Sequence, residues 1–143
     1  MTKDSREEQV AMLRKVPLFS ALNGKQLKTV AAGGKSLSFA PGQKIVEEGA
    51  MGVGFFLILD GRVRVRKDKK VLAELKSGDF FGEMSLFDEQ PRSATVEAMT
   101  DTKCLAITAW SFIGMVKSNP DIAVNVMKEL AARLRLSNKT LPD

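Results

Sequence analysis

The chain has 143 residues, 44% of them hydrophobic and 27% charged, which suits one globular domain with its own core. It contains no histidine, and this excludes histidine metal sites and every catalytic triad that uses histidine as its base. The net charge of +5 favours anionic partners such as nucleotides, nucleic acid or anionic lipid.

Two sequence features bear on the compartment. Cys104 is the only cysteine and lies in an apolar run, so we expect a buried structural thiol and no internal disulfide. The longest apolar stretch, Val53–Leu59, is too short to cross a bilayer, and the polar N-terminus does not resemble a secretory signal. These features predict a cytoplasmic protein without a membrane segment.

The first third of the chain predicts two short helices. The first runs from Ser5 to Val16, because Ser5 and Glu8 have capping-box spacing and Pro17 ends the run. A compact apolar elbow follows over residues 18–22. The second helix spans residues 24–32 and is closed by a pair of glycines.

The middle of the chain predicts many short strands. From Ser36 onward short apolar pieces alternate with turn residues, and Asp60-Gly61 is a two-residue hairpin signal. Arg62–Arg66 alternates arginine with valine, so we expect one buried face, and we interpret the arginines and the lysines that follow as a solvated strand and turn. Strands of this length and spacing are typical of a sandwich, jelly roll or barrel.

Helical patterns return in the last third. Thr108 is suited to cap a helix that runs through Met115. Asn119-Pro120-Asp121 opens a final helix whose apolar residues recur every four positions. That stripe consists of Ile122, Val126, Leu130 and Leu134.

The segment 80–96 carries the chemistry. Gly82 allows close approach of the backbone to a ligand, and a helical turn starting there would direct free N–H groups of Glu83, Met84 and Ser85 outward, which favours an anion. Arg92 can donate two parallel hydrogen bonds to phosphate oxygens. The alternative is a surface turn in which Arg92 pairs with a nearby acid, Asp88 or Glu89.

Two neighbouring side chains extend the anion site into a nucleotide site. Ser93 can add a hydroxyl or amide donor beside Arg92. Glu83 would be repelled by phosphate, so a neutral pair of hydroxyls such as a ribose is its better partner. A site that has hydrogen-bond donors for an anion next to one carboxylate for a sugar is suited to bind a nucleotide.

This segment resembles the phosphate-binding cassette of the cyclic nucleotide-binding domain family, which includes catabolite activator proteins, kinase regulatory subunits and cyclic nucleotide-gated channels. The match consists of Phe-Gly-Glu and, after a short gap, Pro-Arg-Ser-Ala-Thr-Val. Other landmarks stand in the expected order along almost the whole chain: Leu18-Phe19, Pro41-Gly42, Asp60-Gly61 and Asn119-Pro120-Asp121.

The resemblance implies a mainly β fold with flanking helices. We expect one domain over residues 1–143, with N-terminal helices over 1–34 and an antiparallel, jelly-roll-like β-roll over 35–107. The cassette at 80–96 interrupts the roll. A C-terminal helix pair over 108–143 would act as hinge and lid.

The resemblance also assigns ligand contacts. Glu83 takes the ribose 2′-hydroxyl, and Arg92 and Ser93 take the cyclic phosphate. Backbone groups are expected from Gly82, Met84 and Ser85. The base side is expected to be lined by Val65, Leu75 and Phe80, with Ala94 at the pocket floor. The expected ligand is cAMP rather than cGMP, although a hydroxyl at Ser93 can also reach a guanine amino group.

The residue that covers the base has two candidates. Alignment on Asn119-Pro120-Asp121 puts Arg133 where some channel-type domains place an arginine over the purine. The same register puts Ser137 and Asn138 where catabolite activator proteins direct hydroxyl side chains toward adenine in a dimer. We favour Arg133, because the chain ends soon after Ser137.

The expected function is a non-enzymatic cyclic-nucleotide sensor with no cofactor, a monomer or weak dimer that acts on a protein effector or fused domain. The alternatives are a ligand-free scaffold of the same fold and the isolated sensor domain of a larger regulator or channel. A cupin-like enzyme lacks the histidines for its metal, and a DNA-binding regulator lacks a reading head in this chain. We therefore expect no DNA binding by this chain alone.

Overall fold

The computed structural model describes residues 5–51, 54–88 and 90–137. The helices are α1 Arg6–Arg14, α2 Gly24–Ala32, α3 Ala109–Ser118 and α4 Pro120–Ser137. The strands are β1 Lys35–Phe39, β2 Lys44–Val46, β3 Gly54–Asp60, β4 Arg62–Lys67, β5 Lys70–Lys76, β6 Phe80–Phe81, β7 Thr95–Ala98 and β8 Thr102–Thr108. Short 3₁₀ helices span Pro17–Phe19 and Glu83–Leu86.

The two N-terminal helices form where the sequence predicts them. The Ser5 side chain accepts a hydrogen bond from the Glu8 amide at 3.2 Å, and α1 ends at Arg14, two residues before the predicted end. Asn23 and Gln26 form a reciprocal capping box at the start of α2, whose bounds are as predicted. The elbow between the helices buries Leu18 and Phe19 completely.

Two four-stranded antiparallel sheets form the β-roll of the described residues, in the orders β1-β8-β3-β6 and β2-β7-β4-β5. The expected mainly β, jelly-roll-like fold with flanking helices is confirmed. Strand β3 explains the longest apolar run, because both of its faces are buried. Phe55, Leu57 and Leu59 pack with the helices, whereas Phe56 and Ile58 pack between the sheets.

The predicted hairpin at Asp60-Gly61 is wrong, because β3 and β4 belong to different sheets. Gly61 has φ +105°, and a Cβ there would lie 2.6 Å from the Asp101 carbonyl oxygen. The turn therefore packs against the β7–β8 connection, which also changes sheets. A local turn signal identifies the change of direction but not the strand's partner.

The C-terminal helices cover one side of the roll. The Thr108 side chain accepts from the Ser111 amide, and α3 continues to Ser118, three residues beyond its predicted end. On α4 the first two stripe residues, Ile122 and Val126, are buried with the helical core. Leu134, the last residue of the predicted apolar stripe, is 63% exposed.

The remaining expectations concern Cys104 and membrane spans. Cys104 is fully buried, and burial raises the pKa of its thiol to about 12. This agrees with a structural thiol. Among the helices described here, none combines the length and the apolar character that crossing a membrane requires.

Candidate ligand site

A cavity of about 430 Å³ opens between the segment 81–94 and strands β2, β4 and β7. This volume lies within the usual range for small-molecule sites. Eight of the predicted site residues line it: Val65, Gly82, Glu83, Met84, Ser85, Arg92, Ser93 and Ala94. The structure thus brings the predicted phosphate and ribose groups to one cavity.

Gly82 makes the turn into the 3₁₀ helix with φ +79°, a left-handed conformation that favours glycine. A Cβ at this position would collide with the Arg92 guanidinium and would lie 2.6 Å from the Gly54 carbonyl oxygen. Glycine is therefore required here for two reasons. It adopts the left-handed conformation, and it leaves room for the Arg92 guanidinium.

Arg92 is held from both its backbone and its side chain. Its amide donates to the Ala50 carbonyl at 2.8 Å, and its carbonyl accepts from the Gly49 amide at 2.9 Å. Its Nη2 donates to the Gly54 carbonyl, and the guanidinium carbon lies 5.9 Å from the centroid of the Phe56 ring. The β2–β3 segment therefore fixes the direction of the side chain.

The burial and the hydrogen bonding of the Arg92 side chain favour binding of an anion. Its Nε is buried and has no hydrogen-bond partner among the described residues. Burial lowers the pKa of Arg92 from its ordinary value, because the charged form has lost water. The alternative of an ion pair with Asp88 is not seen, and Glu89 lies outside the described residues. A partly desolvated cation with an unused donor is suited to hold a phosphate.

The 3₁₀ helix Glu83–Leu86 corrects one expectation. The Ser85 amide donates to the Gly82 carbonyl at 3.0 Å, so it is used inside the turn. The prediction of three free outward amides is therefore wrong for Ser85, because a 3₁₀ turn bonds its third amide back to its cap. The side chain of Ser85 still lines the cavity.

Glu83 meets the C-terminal helix across the mouth of the site. Arg133 donates from Nη1 to Glu83 Oε1 at 3.0 Å and from Nη2 to Oε2 at 3.5 Å. The Arg133 Nε also lies 3.7 Å from Glu129 Oε1. Arg133 was expected to lie over the base. In the structure it instead pairs with Glu83, the carboxylate that was predicted to bind the ribose. Of the other two candidates, Ser137 is exposed at the end of α4 and Asn138 lies outside the described residues.

The apolar wall differs from the predicted one. Phe80 stacks on Phe55 at 6.0 Å between centroids and packs against the helical core, whereas Phe81 stacks on Phe56 at 5.1 Å and lines the cavity. Leu75 packs against the core between the sheets and does not line this cavity in the part of the chain that the structure describes. Ligand contacts by Leu75 and Phe80 stay predictions without support from this arrangement.

Sequence reasoning also missed several lining residues: Val46, Phe81, Asp88, Gln90, Pro91 and Val96. The resemblance had placed Phe80, and not Phe81, on the base side. Neighbouring strand residues point to opposite faces, so choosing Phe81 over Phe80 required the register of β6 with β3, in which Phe81 pairs with Phe56.

Comparison with known proteins gives one family. The profile described as "Cyclic nucleotide-binding domain" matches residues 36–119, which contain the cavity lining. A solved structure, the N-terminal domain of a transcriptional regulator from Streptomyces coelicolor A3(2), superposes with a TM-score of 0.84 at 31% identity. The match covers 92% of this chain and 98% of that one.

Two curated relatives carry cyclic AMP in their names. The Cyclic AMP receptor protein of Thermus thermophilus is 32% identical over 83% of this chain and 57% of its own length. A cAMP-dependent protein kinase regulatory subunit of Aspergillus fumigatus is 41% identical over 65% of this chain and 23% of its own length. The chain thus spans little more than half of one relative and about a quarter of the other. With the profile matched over more than half of its residues, the chain belongs to the cyclic nucleotide-binding domain family.

Proposed function

We propose that this chain is a non-enzymatic cAMP sensor, a single cytoplasmic domain that converts nucleotide binding into a change at helix α4. The observation that carries the proposal is the meeting of Arg92 and Glu83 in one cavity, with an apolar wall opposite. The half-buried guanidinium has no carboxylate partner among the described residues, and the Glu83 carboxylate suits sugar hydroxyls. A cyclic nucleotide carries one negative phosphate, a ribose hydroxyl and a flat base, and the cavity lining offers a partner for each of them.

Each part of the nucleotide has a matching surface. The cyclic phosphate takes the guanidinium of Arg92 and the hydroxyl of Ser93, which gives a partly desolvated cation an anionic partner. The ribose 2′-hydroxyl donates to Glu83. The base lies against the valines and Phe81, where apolar contact replaces water.

The link to α4 runs through Glu83, because the carboxylate that would accept the ribose also accepts from Arg133. A carboxylate has about four acceptor positions, so it can hold the guanidinium and a hydroxyl together. In the proposed sensor, Arg133 keeps Glu83 aimed at the cavity and α4 closed over it. Ligand binding then favours the closed position of α4 by differential affinity.

Calorimetric titration with cAMP tests the proposal. We expect binding by the unmodified chain, and we expect Arg92→Ala to weaken it by about 2–4 kcal/mol, the range for losing a charge-assisted pair in a pocket. Arg92→Lys keeps the charge but not the fork, so it should rescue only part of the loss. Arg62→Ala removes an exposed arginine on β4 outside the cavity and is the matched control.

Two results would overturn the proposal. Binding by Arg92→Ala within about twofold of the unmodified chain would remove Arg92 from the site. No binding by the folded, unmodified chain would favour the ligand-free scaffold. Competition with cGMP in the same titration decides the nucleotide, and tighter cGMP binding would replace cAMP as the ligand.

The second candidate is the sensor domain of a larger regulator or channel. It is favoured by the lengths of the relatives, of which this chain spans 57% and 23%. In that case the cavity works in the same way, and α4 passes the signal to a fused domain or a protein partner. Attaching a reporter domain after α4 and measuring its response to cAMP would distinguish coupling from simple binding.

A further inference from the structure

Arg133 lies between two carboxylates, and only one of them belongs to the cassette. Its Nη1 is 3.0 Å from Glu83 Oε1, and its Nε is 3.7 Å from Oε1 of Glu129, one turn earlier on α4. The side chains of Glu83, Glu129 and Arg133 are 20%, 23% and 30% exposed. The cluster is thus partly shielded from water, and its geometry matters more than at an open surface.

Glu129 also lies near another part of the chain. The Ser20 hydroxyl, just after the first 3₁₀ helix, lies 3.3 Å from Glu129 Oε2 and 2.8 Å from the Pro17 carbonyl oxygen. One Glu129 oxygen therefore faces Arg133 and the other faces the N-terminal segment. A second polar contact, from Asn125 to Gln26 at 3.2 Å, joins the same two regions.

We propose that Glu129 is a positioning residue for the nucleotide site. It aligns the Arg133 guanidinium along α4 so that the two Nη groups reach Glu83. Arginine loses side-chain freedom when it is fixed at two points, and Glu129 supplies the second point within its own helix. This inference rests on the proposed function, since it assumes that the Glu83–Arg133 contact retains the ligand.

The chemistry of the cluster gives the direction of the effect. Without the Glu129 charge, Arg133 samples more rotamers, and Glu83 is held less often in the orientation that the ribose needs. Nucleotide should therefore leave faster. Because the effect passes through Arg133, it should disappear when Arg133 is absent.

The test is a double-mutant cycle on release of a fluorescent cAMP analogue, measured by stopped flow with the full chain. Glu129→Gln keeps the size, the helix propensity and an acceptor for Ser20 but loses the charge. We expect release to be about two- to fivefold faster, which corresponds to a partly exposed ion pair. Lys128→Gln changes a neighbouring exposed charge on the same helix and should leave release unchanged. In an Arg133→Ala background, Glu129→Gln should add nothing.

The outcomes separate the two proposals. If Arg133→Ala speeds release and Glu129→Gln does not, the positioning role is wrong and the sensor stands. If Glu129→Gln acts equally in the presence and absence of Arg133, its effect is not positional and the inference is also wrong. If Arg133→Ala itself leaves release unchanged, the closed α4 of the proposed function is wrong, and the role of Glu129 falls with it.

An NMR measurement on the chain without nucleotide tests the alignment of Arg133 directly. The Arg133 Nε–H resonance, assigned by its loss in Arg133→Lys, should shift in Glu129→Gln and keep its position in Lys128→Gln. An unchanged resonance in Glu129→Gln would overturn the alignment itself, whether or not cAMP binds. Thermal unfolding of each variant checks that all of them are folded.

Discussion

A Cβ at Gly82 would occupy the space of the Arg92 guanidinium, so Gly82 supports the proposed ligand site. We expect Gly82→Ala to weaken cAMP binding at least tenfold, because the new Cβ would displace the Arg92 guanidinium. The left-handed backbone adds a cost of about 1–2 kcal/mol to folding. Calorimetry and thermal unfolding on the same samples measure both effects.

The control for Gly82 is a glycine with similar backbone geometry but free space around it. Gly78 has φ +94° and nothing within 4 Å of an added Cβ. Gly78→Ala should therefore lower stability only by the cost of the left-handed backbone and leave cAMP affinity unchanged. Equal losses of affinity in the two variants would show that backbone strain alone, and not the collision with Arg92, accounts for the effect.

Cys104 gives a second prediction at the residue scale. Burial raises the pKa of its thiol to about 12, so below this pH the group is a neutral thiol and not the reactive thiolate. The folded chain should therefore resist a thiol reagent at pH 8, where an exposed cysteine with its usual pKa near 8.5 reacts readily. Reaction should become complete in denaturant. Rapid labelling of the folded chain would contradict the burial of Cys104 between the sheets.

Helix α4 carries the output in the proposed sensor. Removing residues from Ala132 onward deletes Arg133, and we expect cAMP affinity to fall about tenfold or more while release becomes faster. The anchoring residues Ile122 and Val126 remain, so the roll should stay folded. Stopped-flow release and circular dichroism measure the two properties.

The matched truncation ends the chain at Ser137 and keeps Arg133. It should release nucleotide at the rate of the full chain. If both truncations release nucleotide at the unmodified rate, α4 is not a lid. If both release it faster, residues after 137 contribute and Arg133 is not the only determinant.

The elements show which features a sequence can predict. Capping residues such as Ser5 and Asn23 act within one turn of a helix, and the helices begin where those residues stand. The cassette from Gly82 to Arg92 is also local in sequence, so its residue types alone indicated an anion and a sugar.

Features that depend on strand pairing or on contacts between distant residues were less predictable from the sequence. The Asp60-Gly61 turn could not reveal that its strands enter different sheets, and the choice of Phe81 over Phe80 needed the register of β6. The Glu83–Arg133 contact joins residues 50 positions apart. An arginine at position 133 of a lid helix could stack on the base, or it could pair with the Glu83 carboxylate. The sequence did not distinguish these two arrangements.

At the scale of the whole molecule, the apolar wall of the cavity belongs to one of two cores. Val65, Val96 and Phe81 belong to the core between the sheets, whereas α4 packs with the N-terminal helices and β3 in the other. Strand β3 contributes side chains to both cores. A nucleotide held by the cassette and by Glu83 would therefore contact the first core directly and the second through Arg133.

This arrangement predicts that cAMP stabilises the chain as one unit. A ligand that binds only the folded state at a concentration 100 times its Kd adds about 2.7 kcal/mol to the free energy of unfolding. For a chain of this size, that gain should raise Tm by about 5–10 °C in a single transition. Differential scanning calorimetry with and without cAMP measures the shift, and Arg92→Ala at the same cAMP concentration should lose most of it. Two separate transitions, with only one moved by cAMP, would mean that the cores unfold independently and that the ligand is not coupled to α4.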